Sequence, residues 1–199
     1  MIHLVRAAAL RVILSQVALS KILRAALDNR DVEIAGFLLG RVENDRVIIV
    51  DSVWVRGESR RTCVVLDFGS MAELTDKLGE VKSVIVGWWH SHPGMGADFM
   101  SITDIETQRV YQSLFPYAVA LIVDPMEYKR SGINGKSCSI YRVTSDGYEA
   151  LPLEVSSKPN KSVFIKLLKF AKLSPNTVKK LYRRKDTIFN ERKRRKIIT

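Results

Sequence analysis

A segment of fifteen residues, from His90 to Asp104, holds the side chains of this sequence that could perform chemistry together. Two of the three histidines of the chain, His90 and His92, flank one serine and are followed by a proline. Ser101 follows after seven residues, and Asp104 after two more. Two imidazoles, a carboxylate and a hydroxyl are side chains that catalytic zinc sites use. The segment therefore predicts a metal centre.

The spacing of these residues would bring their side chains to one point. His90 and His92 project to the same side of an extended segment, because side chains alternate with a period of two. The glycines that follow allow the chain to turn sharply. Ser101 and Asp104 are three positions apart, so they share one face of the first turn of a helix. One strand end and one helix start could therefore hold the whole set.

Two imidazoles and one carboxylate leave one position of a tetrahedral zinc open for water, which is typical of catalytic sites. Zinc lowers the pKa of such a water to about 7, so a further carboxylate is needed to accept the proton and later give it to a leaving amine. Ser101 is expected to donate a hydrogen bond to the oxyanion of a tetrahedral intermediate. Two histidines alone are more often a solvated pair, and only the complete set favours one Zn²⁺ per chain.

The preceding sequence predicts the elements that support this segment. Apolar residues recur at helical spacing over residues 16–29, and the apolar runs 37–40 and 47–50 flank a polar segment that indicates a hairpin. Short strands are expected at 53–55 and 63–66, and a capped helix at 70–78. The buried strand predicted at 84–88 leads into His90, and a strand end is a rigid support for ligands.

The following sequence completes an α/β pattern. A helix is expected from Ser101 or Thr103 to about Leu114, then a strand at 118–123 that pairs with residues 137–143 across a loop at 129–136. Strands interleaved with helices predict an α/β domain over residues 1–152, with a mixed sheet that ends near residue 152.

The excess positive charge lies at the C-terminal end of the sequence. Residues 151–199 contain 15 Lys and Arg against 3 acidic residues, whereas residues 1–150 contain 17 basic and 18 acidic residues. We expect residues 153–199 to form a basic helical extension. It could dock on an acidic protein surface, bind nucleic acid, or pack on the domain with a solvated basic face.

The composition bears on membrane association and on disulfide bonds. No apolar run approaches the roughly 18 residues that a membrane span needs, so no membrane partner is expected. Cys63 and Cys138 form no CxxC pair, and two reduced thiols in a cytoplasmic protein are preferred to one disulfide.

The pattern HSHP, seven residues, Ser, two residues and Asp resembles the JAMM (MPN-plus) zinc metalloproteases over about residues 10–150. The segment GWWHSHPGMGADFMSITDIETQ is especially similar to the proteasome-lid deubiquitinase and its archaeal homologues. The resemblance implies an MPN domain with a mixed, mostly antiparallel curved sheet flanked by helices. It also implies that His90, His92 and Asp104 bind zinc and that Ser101 stabilises the transition state.

The resemblance also implies a general acid/base before the hairpin. Glu33 fits, because EIAGFLLG matches the family's pattern Glu-x-x-Gly-x-x-x-Gly. Spacing alone would leave Glu33 as an ordinary surface charge, with Glu43, Glu58 and Asp98 as rival carboxylates.

Three residues near the histidines are candidates for substrate contact. Trp89 stands where the family usually has an aromatic residue. Phe99 and Met100 could meet the hydrophobic patch of a protein modifier, or they could be buried in the core.

The implied reaction is hydrolysis of the isopeptide bond between the Gly-Gly end of ubiquitin, or of a ubiquitin-like modifier, and a target lysine. Coupling to proteasomal degradation is expected, and the C-terminal helices could dock on a proteasome or AAA ATPase partner. Two other classes stay open: a non-catalytic MPN scaffold, and a basic nucleic-acid-associated protein.

Overall fold

The main feature of the described residues is a curled β-sheet of eight strands. The computed structural model describes residues 10–55 and 84–156, together with the backbone of residues 59–60 and 63–64. The strands are β1 (Arg11–Ser15), β2 (Ala35–Glu43), β3 (Arg46–Val55), β4 (Ser59–Arg60), β5 (Cys63–Val64), β6 (Val84–Ser91), β7 (Val119–Val123), β8 (Cys138–Thr144), β9 (Gly147–Ala150) and β10 (Leu153–Ser156). The helices are α1 (Gln16–Asp28), α2 (Ile102–Leu114) and α3 (Pro125–Ser131).

Eight strands form the sheet in the order β10-β1-β3-β2-β6-β7-β8-β9. The pairs β3-β2, β2-β6, β7-β8 and β8-β9 are antiparallel, whereas β10-β1, β1-β3 and β6-β7 are parallel. In the described part of the chain, three helices flank this sheet, and β4 and β5 form a separate antiparallel pair. The predicted α/β architecture with a mixed sheet is confirmed.

Helix α1 begins where its sequence supplies a cap. The hydroxyl oxygen of Ser15 accepts a hydrogen bond from the amide of Ala18 at 3.1 Å, and the same hydroxyl donates to the carbonyl of Val50 at 2.8 Å. This side chain satisfies an amide of the first turn and ties the helix start to β3. The helix then buries one apolar face, made of Ala18, Leu19, Ile22, Leu23 and Ala26.

The predicted hairpin is formed by β2 and β3. Its turn residues, Asn44 and Asp45, both have positive φ angles, 47° and 57°, which Asn and Asp adopt more readily than most residues. The expected strand piece at 53–55 is the end of β3 itself, and β2 pairs with β6 on its other side. The antiparallel register of β2 and β6 brings the start of β2 beside the end of β6.

The two faces of the sheet have different contents. Trp88 and Trp89 are consecutive residues of β6, so their side chains point to opposite faces. Trp89 joins the main apolar core with α1, whereas Trp88 lies against Tyr111 of α2, with ring centroids 6.0 Å apart. The face that carries Trp88 also carries the histidines.

Several elements differ from the sequence prediction. The expected loop at 129–136 begins as a helix, because Asp124 caps α3 and Pro125 stands in its first turn, so helical structure continues to Ser131. The sheet does not end near residue 152, because β10 pairs with β1 through Ser156. The expected helix at 70–78 and the extension beyond residue 156 lie outside the described residues.

Two further expectations concern Cys138 and the membrane. Cys138 is a free, buried thiol, and burial raises its pKa to about 12, so it has the character of a core residue. Within the described residues, no helix has both the length and the apolar character that crossing a bilayer requires.

Candidate metal centre

Three side chains from two neighbouring elements converge at the end of β6. His90 is the penultimate residue of β6, His92 follows the strand directly, and Asp104 lies in the first turn of α2. The Nε2 atoms of the two histidines are 2.7 Å apart. Asp104 Oδ1 lies 3.2 Å from His90 Nε2, and Asp104 Oδ2 lies 3.5 Å from His92 Nε2. The structure thus brings the three predicted ligands together, and all three are buried.

These donor atoms suit a divalent metal ion. His92 Nδ1 is 3.1 Å from the carbonyl oxygen of Gly96, so Nδ1 carries a proton and Nε2 would present its lone pair to a bound ion. Two ring nitrogens at 2.7 Å repel each other unless a proton or a cation lies between them. Two imidazoles and a carboxylate form a ligand set that zinc accepts while keeping one position open. His90, His92 and Asp104 would hold the ion.

Asp104 is oriented by the capping box that begins α2. The amide of Ser101 donates to Asp104 Oδ2 at 2.7 Å, and the amide of Asp104 donates to Ser101 Oγ at 3.2 Å. Burial would raise the pKa of Asp104, but the hydrogen bonds from His90, His92 and Ser101 outweigh it and hold this pKa well below its usual range. The carboxylate is therefore ionised at neutral pH.

The two histidines differ in their affinity for protons. Burial lowers the pKa of His90, and this effect is larger than the opposing influence of Asp104. Burial acts in the same direction on His92, but Asp104, the charge of Glu33 and the Gly96 carbonyl together raise the pKa of His92. His90 is therefore neutral, whereas a metal ion would compete with a proton at His92.

Glu33 reaches the site because of the register between β2 and β6. Ala35 pairs with His90, and the amide of Ser91 donates to the carbonyl of Ile34 at 2.9 Å, so Glu33 lies across from His92. Glu33 is only 5% exposed. Burial raises its pKa to about 7, with the charge of His92 lowering this pKa and that of Asp104 raising it. A carboxyl group with this pKa can both accept and deliver a proton near neutral pH.

The loop after the histidines is held by Asp124, which the sequence analysis did not single out. Its carboxylate accepts hydrogen bonds from the amides of Gly94 at 3.1 Å and Gly96 at 2.9 Å. It also caps α3 by accepting from the amides of Met126 and Glu127. Because Gly96 in turn fixes the ring of His92, Asp124 supports a ligand indirectly. The Asp-Pro pair at the start of a helix is the sequence signal that could have revealed it.

The three candidate substrate contacts lie in different environments. Trp89 is 1% exposed and belongs to the core on the opposite face, so its side chain has no surface to offer a substrate. Met100 is buried as well. Phe99 is 37% exposed and lies against the His92 ring, with centroids 4.9 Å apart. Of the three, Phe99 alone combines exposure with contact to the site.

The similarity of the chain to known proteins agrees with this geometry. Residues 7–117 match the family model described as JAB1/Mov34/MPN/PAD-1 ubiquitin protease. The chain belongs to this family. The matched region contains Glu33, both ligand histidines, Ser101 and Asp104, so every catalytic position predicted from the JAMM resemblance lies within it.

Relatives of this JAB1/Mov34/MPN/PAD-1 member include subunits of large assemblies. COP9 signalosome complex subunit 5 from Eremothecium gossypii is 38% identical over 123 residues, which cover 60% of this chain and 29% of that protein. Ubiquitin carboxyl-terminal hydrolase RPN11 from Saccharomyces cerevisiae is 32% identical over 120 residues, which cover 58% of this chain and 39% of that protein. The matched region therefore spans only about a third of the length of these relatives.

A solved structure supports the fold. The solution structure of a protein from Desulfitobacterium hafniense covers 76% of this chain and 97% of its own, with a TM-score of 0.62 and 17% sequence identity. This likeness concerns the fold of the JAB1/Mov34/MPN/PAD-1 domain and not its activity.

Proposed function

We propose that this protein is a zinc-dependent isopeptidase that hydrolyses the bond between the Gly-Gly end of ubiquitin, or of a ubiquitin-like modifier, and a target lysine. The observation that carries the proposal is the convergence of His90, His92 and Asp104 beside a buried carboxyl group, Glu33. Zn²⁺ held by these ligands would act as a Lewis acid that activates water and polarises the scissile carbonyl. The other chemistry belongs to side chains of the chain itself.

Glu33 transfers a proton from the attacking water to the leaving amine. In its ionised form it accepts a proton from the attacking water, and in its protonated form it delivers that proton to the leaving lysine amine. Both steps need a group whose pKa lies near the working pH, and burial raises the pKa of Glu33 to about 7. Its position opposite His92 in the strand register supports this role.

Ser101 stabilises the charge that develops on the scissile carbonyl. Its hydroxyl oxygen accepts from the amide of Asp104, which fixes the side chain at the start of α2. The hydroxyl proton is then available to the oxyanion, and a preorganised donor of this kind contributes roughly 10²–10³-fold to the rate in other hydrolases.

The substrate class is supported by the family and by one surface residue. The family model carries the description ubiquitin protease, and one relative is named as a ubiquitin carboxyl-terminal hydrolase. Glycine-ended tails suit a narrow approach to a buried site, because they bring no side chains. Exposed Phe99, beside His92, provides an apolar contact for the body of the modifier.

Cleavage and metal analysis test the proposal together. The wild-type protein should bind about one zinc ion and cleave a Gly-Gly isopeptide conjugate. Asp104→Ala should lose zinc and activity, whereas Glu33→Gln should keep zinc and lose activity. Glu106→Gln, at an exposed position of the same helix, is the matched control and should behave as wild type. Full turnover by Glu33→Gln would contradict the assignment of the base.

Association with a larger assembly is part of the proposal. Relatives named as subunits of the 26S proteasome and of the COP9 signalosome suggest that this chain also works in a cytoplasmic complex. We place the contact with a proteasome or ATPase in the basic segment that follows β10, residues 157–199, because residues 153–156 belong to the sheet of the catalytic domain. Loss of co-purification when residues 158–199 are deleted would support this division.

A non-catalytic scaffold and a nucleic-acid-associated protein are the alternatives. A scaffold would assemble equally well without metal and show no cleavage at any zinc concentration. Nucleic-acid binding through the 15 basic residues of the C-terminal segment would weaken steeply with salt and disappear with the deletion.

A further inference from the structure

His90 and His92 are held in different ways. A histidine that binds metal through one ring nitrogen usually donates the other ring N–H to a carboxylate or a carbonyl, and this bond fixes the ring. His92 does so through Gly96. The Nδ1 atom of His90 is buried and has no hydrogen-bond partner among the described residues. Among the described residues, the polar contacts of the His90 ring are those of Nε2 with Asp104 and His92, so the Nδ1 side of the ring is held by packing alone.

The side chain that packs against the His90 ring is Trp88. The two rings are nearly parallel, with an interplanar angle of 11° and centroids 4.8 Å apart. Trp88 and His90 lie on the same face of β6, two residues apart, so the indole covers one side of the imidazole. The position of the imidazole therefore depends on the position of the indole.

The indole is fixed in turn by Gln108 of α2. Trp88 Nε1 donates a hydrogen bond to Gln108 Oε1 at 2.9 Å. The amide nitrogen of Gln108 donates to the carbonyl of Ala118 at 2.8 Å and to Gln112 Oε1 at 2.9 Å. Gln108 is 0% exposed, so water cannot replace these bonds.

We propose that Gln108 is a positioning residue for the metal centre, because it fixes the Trp88 indole that orients His90 and joins it to the helix that carries Asp104. Asp104 lies one turn before Gln108 on the same buried face of α2. Two ligands that come from different elements, a strand and a helix, are thereby held at a set separation. The inference rests on the proposed function, because it concerns the ion that this function requires.

The chemistry of this position calls for an amide. Gln108 must accept a hydrogen bond from Trp88 and donate one to Ala118, and a single carboxamide does both. A carboxylate would place a negative oxygen against the Ala118 carbonyl. An apolar side chain of equal length, methionine, would leave the buried Trp88 N–H without a partner, and the indole would be free to tilt.

The experiment compares Gln108→Met with Gln112→Met in the full-length protein. Gln112 bonds α2 to β8 through the amide nitrogen and carbonyl of Val143, and it also accepts a hydrogen bond from Gln108. It makes no hydrogen bond with Trp88 among the described residues, so Gln112→Met leaves Gln108 its bonds to Trp88 and Ala118. Zinc affinity is measured by competition with a chromophoric chelator, and stability by denaturation of the metal-free protein. We expect Gln108→Met to lose about tenfold in zinc affinity and to alter the visible spectrum of the Co²⁺-substituted protein. Gln112→Met should lower the denaturation midpoint and keep zinc affinity within about twofold of wild type.

A second readout does not depend on metal. The His90 ring protons should be shifted upfield in the NMR spectrum of the metal-free wild type, because they lie over the Trp88 face. Only three histidines are present, so the signal can be assigned with a His92 variant. Gln108→Met should move this signal towards its unstacked position, and Gln112→Met should leave it unchanged.

The two readouts separate the possible failures. Wild-type zinc affinity and wild-type His90 shifts in Gln108→Met would overturn the positioning role and leave the proposed function intact. Equal losses of affinity in both variants would show that Gln108 acts only through general stability, which also overturns it. A wild-type protein that binds no zinc would refute both the proposed function and this inference. A double-mutant cycle with Trp88→Phe should show that Gln108→Met has little further effect once the indole N–H is gone.

Discussion

Ser91 and Ile34 exchange two hydrogen bonds although they are 57 positions apart in the sequence. The amide of Ile34 donates to Ser91 Oγ at 3.0 Å, and the amide of Ser91 donates to the Ile34 carbonyl at 2.9 Å. Ser91 lies between the ligand histidines, and Ile34 follows Glu33. This pair therefore fixes the proposed base relative to the proposed ligands.

Replacing Ser91 by alanine should loosen this connection. The buried Ile34 amide would lose its acceptor, at a cost of about 1–3 kcal/mol in the free energy of unfolding. We expect kcat for isopeptide cleavage to fall while zinc content stays near one per chain, because the ligands themselves are unchanged. Denaturation, metal analysis and steady-state kinetics would check this. An unchanged kcat would show that Glu33 does not need this anchor.

The stability of the metal-free protein should depend on pH through Glu33. Its pKa is about 7 in the folded protein and 4.5 in the unfolded chain, so the folded state holds the proton longer. Relative to Glu33→Gln, the wild type should lose about 3 kcal/mol of unfolding free energy as the pH rises from about 4.5 to about 7. Denaturant titrations of both proteins across this range, without metal, would measure the difference. A constant difference would show that Glu33 is not buried in a way that disfavours its charge.

Asp124→Ala should affect both folding and metal binding. Four amides, those of Gly94, Gly96, Met126 and Glu127, lose their acceptor. The free energy of unfolding should fall by about 2–4 kcal/mol, because a helix cap is lost and the loop amides are left without an acceptor. Zinc affinity should also fall, because the Gly96 carbonyl that orients His92 is no longer held. Asp98→Ala, at an exposed position in the same loop, is the control for both measurements.

Removal of metal should lower the melting temperature of the wild type. An ion present at about 1,000 times its dissociation constant stabilises the folded state by about 4 kcal/mol, which corresponds to several degrees in Tm for a domain of this size. Addition of a chelator should therefore lower the Tm of the wild type and leave that of Asp104→Ala unchanged. Equal shifts in both proteins would indicate an ion bound elsewhere.

The three metal ligands could be predicted from the sequence because they lie close together along the chain. His90 and His92 share a side of one extended segment, and Asp104 follows in the first turn of the next helix, so spacing alone brings them together. The role of Glu33 could not be predicted from spacing. Its approach to His92 depends on the register of β2 against β6, and only the family resemblance indicated it.

Other features depended on tertiary packing that no local pattern encodes. Trp89 was a candidate for substrate contact, but strand alternation places it in the core beside Gly36. A Cβ atom at Gly36 would lie 2.6 Å from Trp89 Nε1 and 1.9 Å from the carbonyl oxygen of Val53, which explains this glycine of the family pattern. The roles of Asp124 and Gln108 likewise arise from contacts between distant segments.

The polar character of the buried face of α2 has a consequence for local dynamics. α1 is attached by five apolar side chains, whereas α2 buries Asp104, Gln108 and Tyr111. A helix attached mainly by directional polar bonds opens at a lower free energy than one attached by apolar area, and an ion bound to Asp104 would close it. Amide hydrogen exchange in α2 would therefore respond to metal occupancy far more than exchange in α1. The exchange rates of α2 would report directly whether the metal is bound.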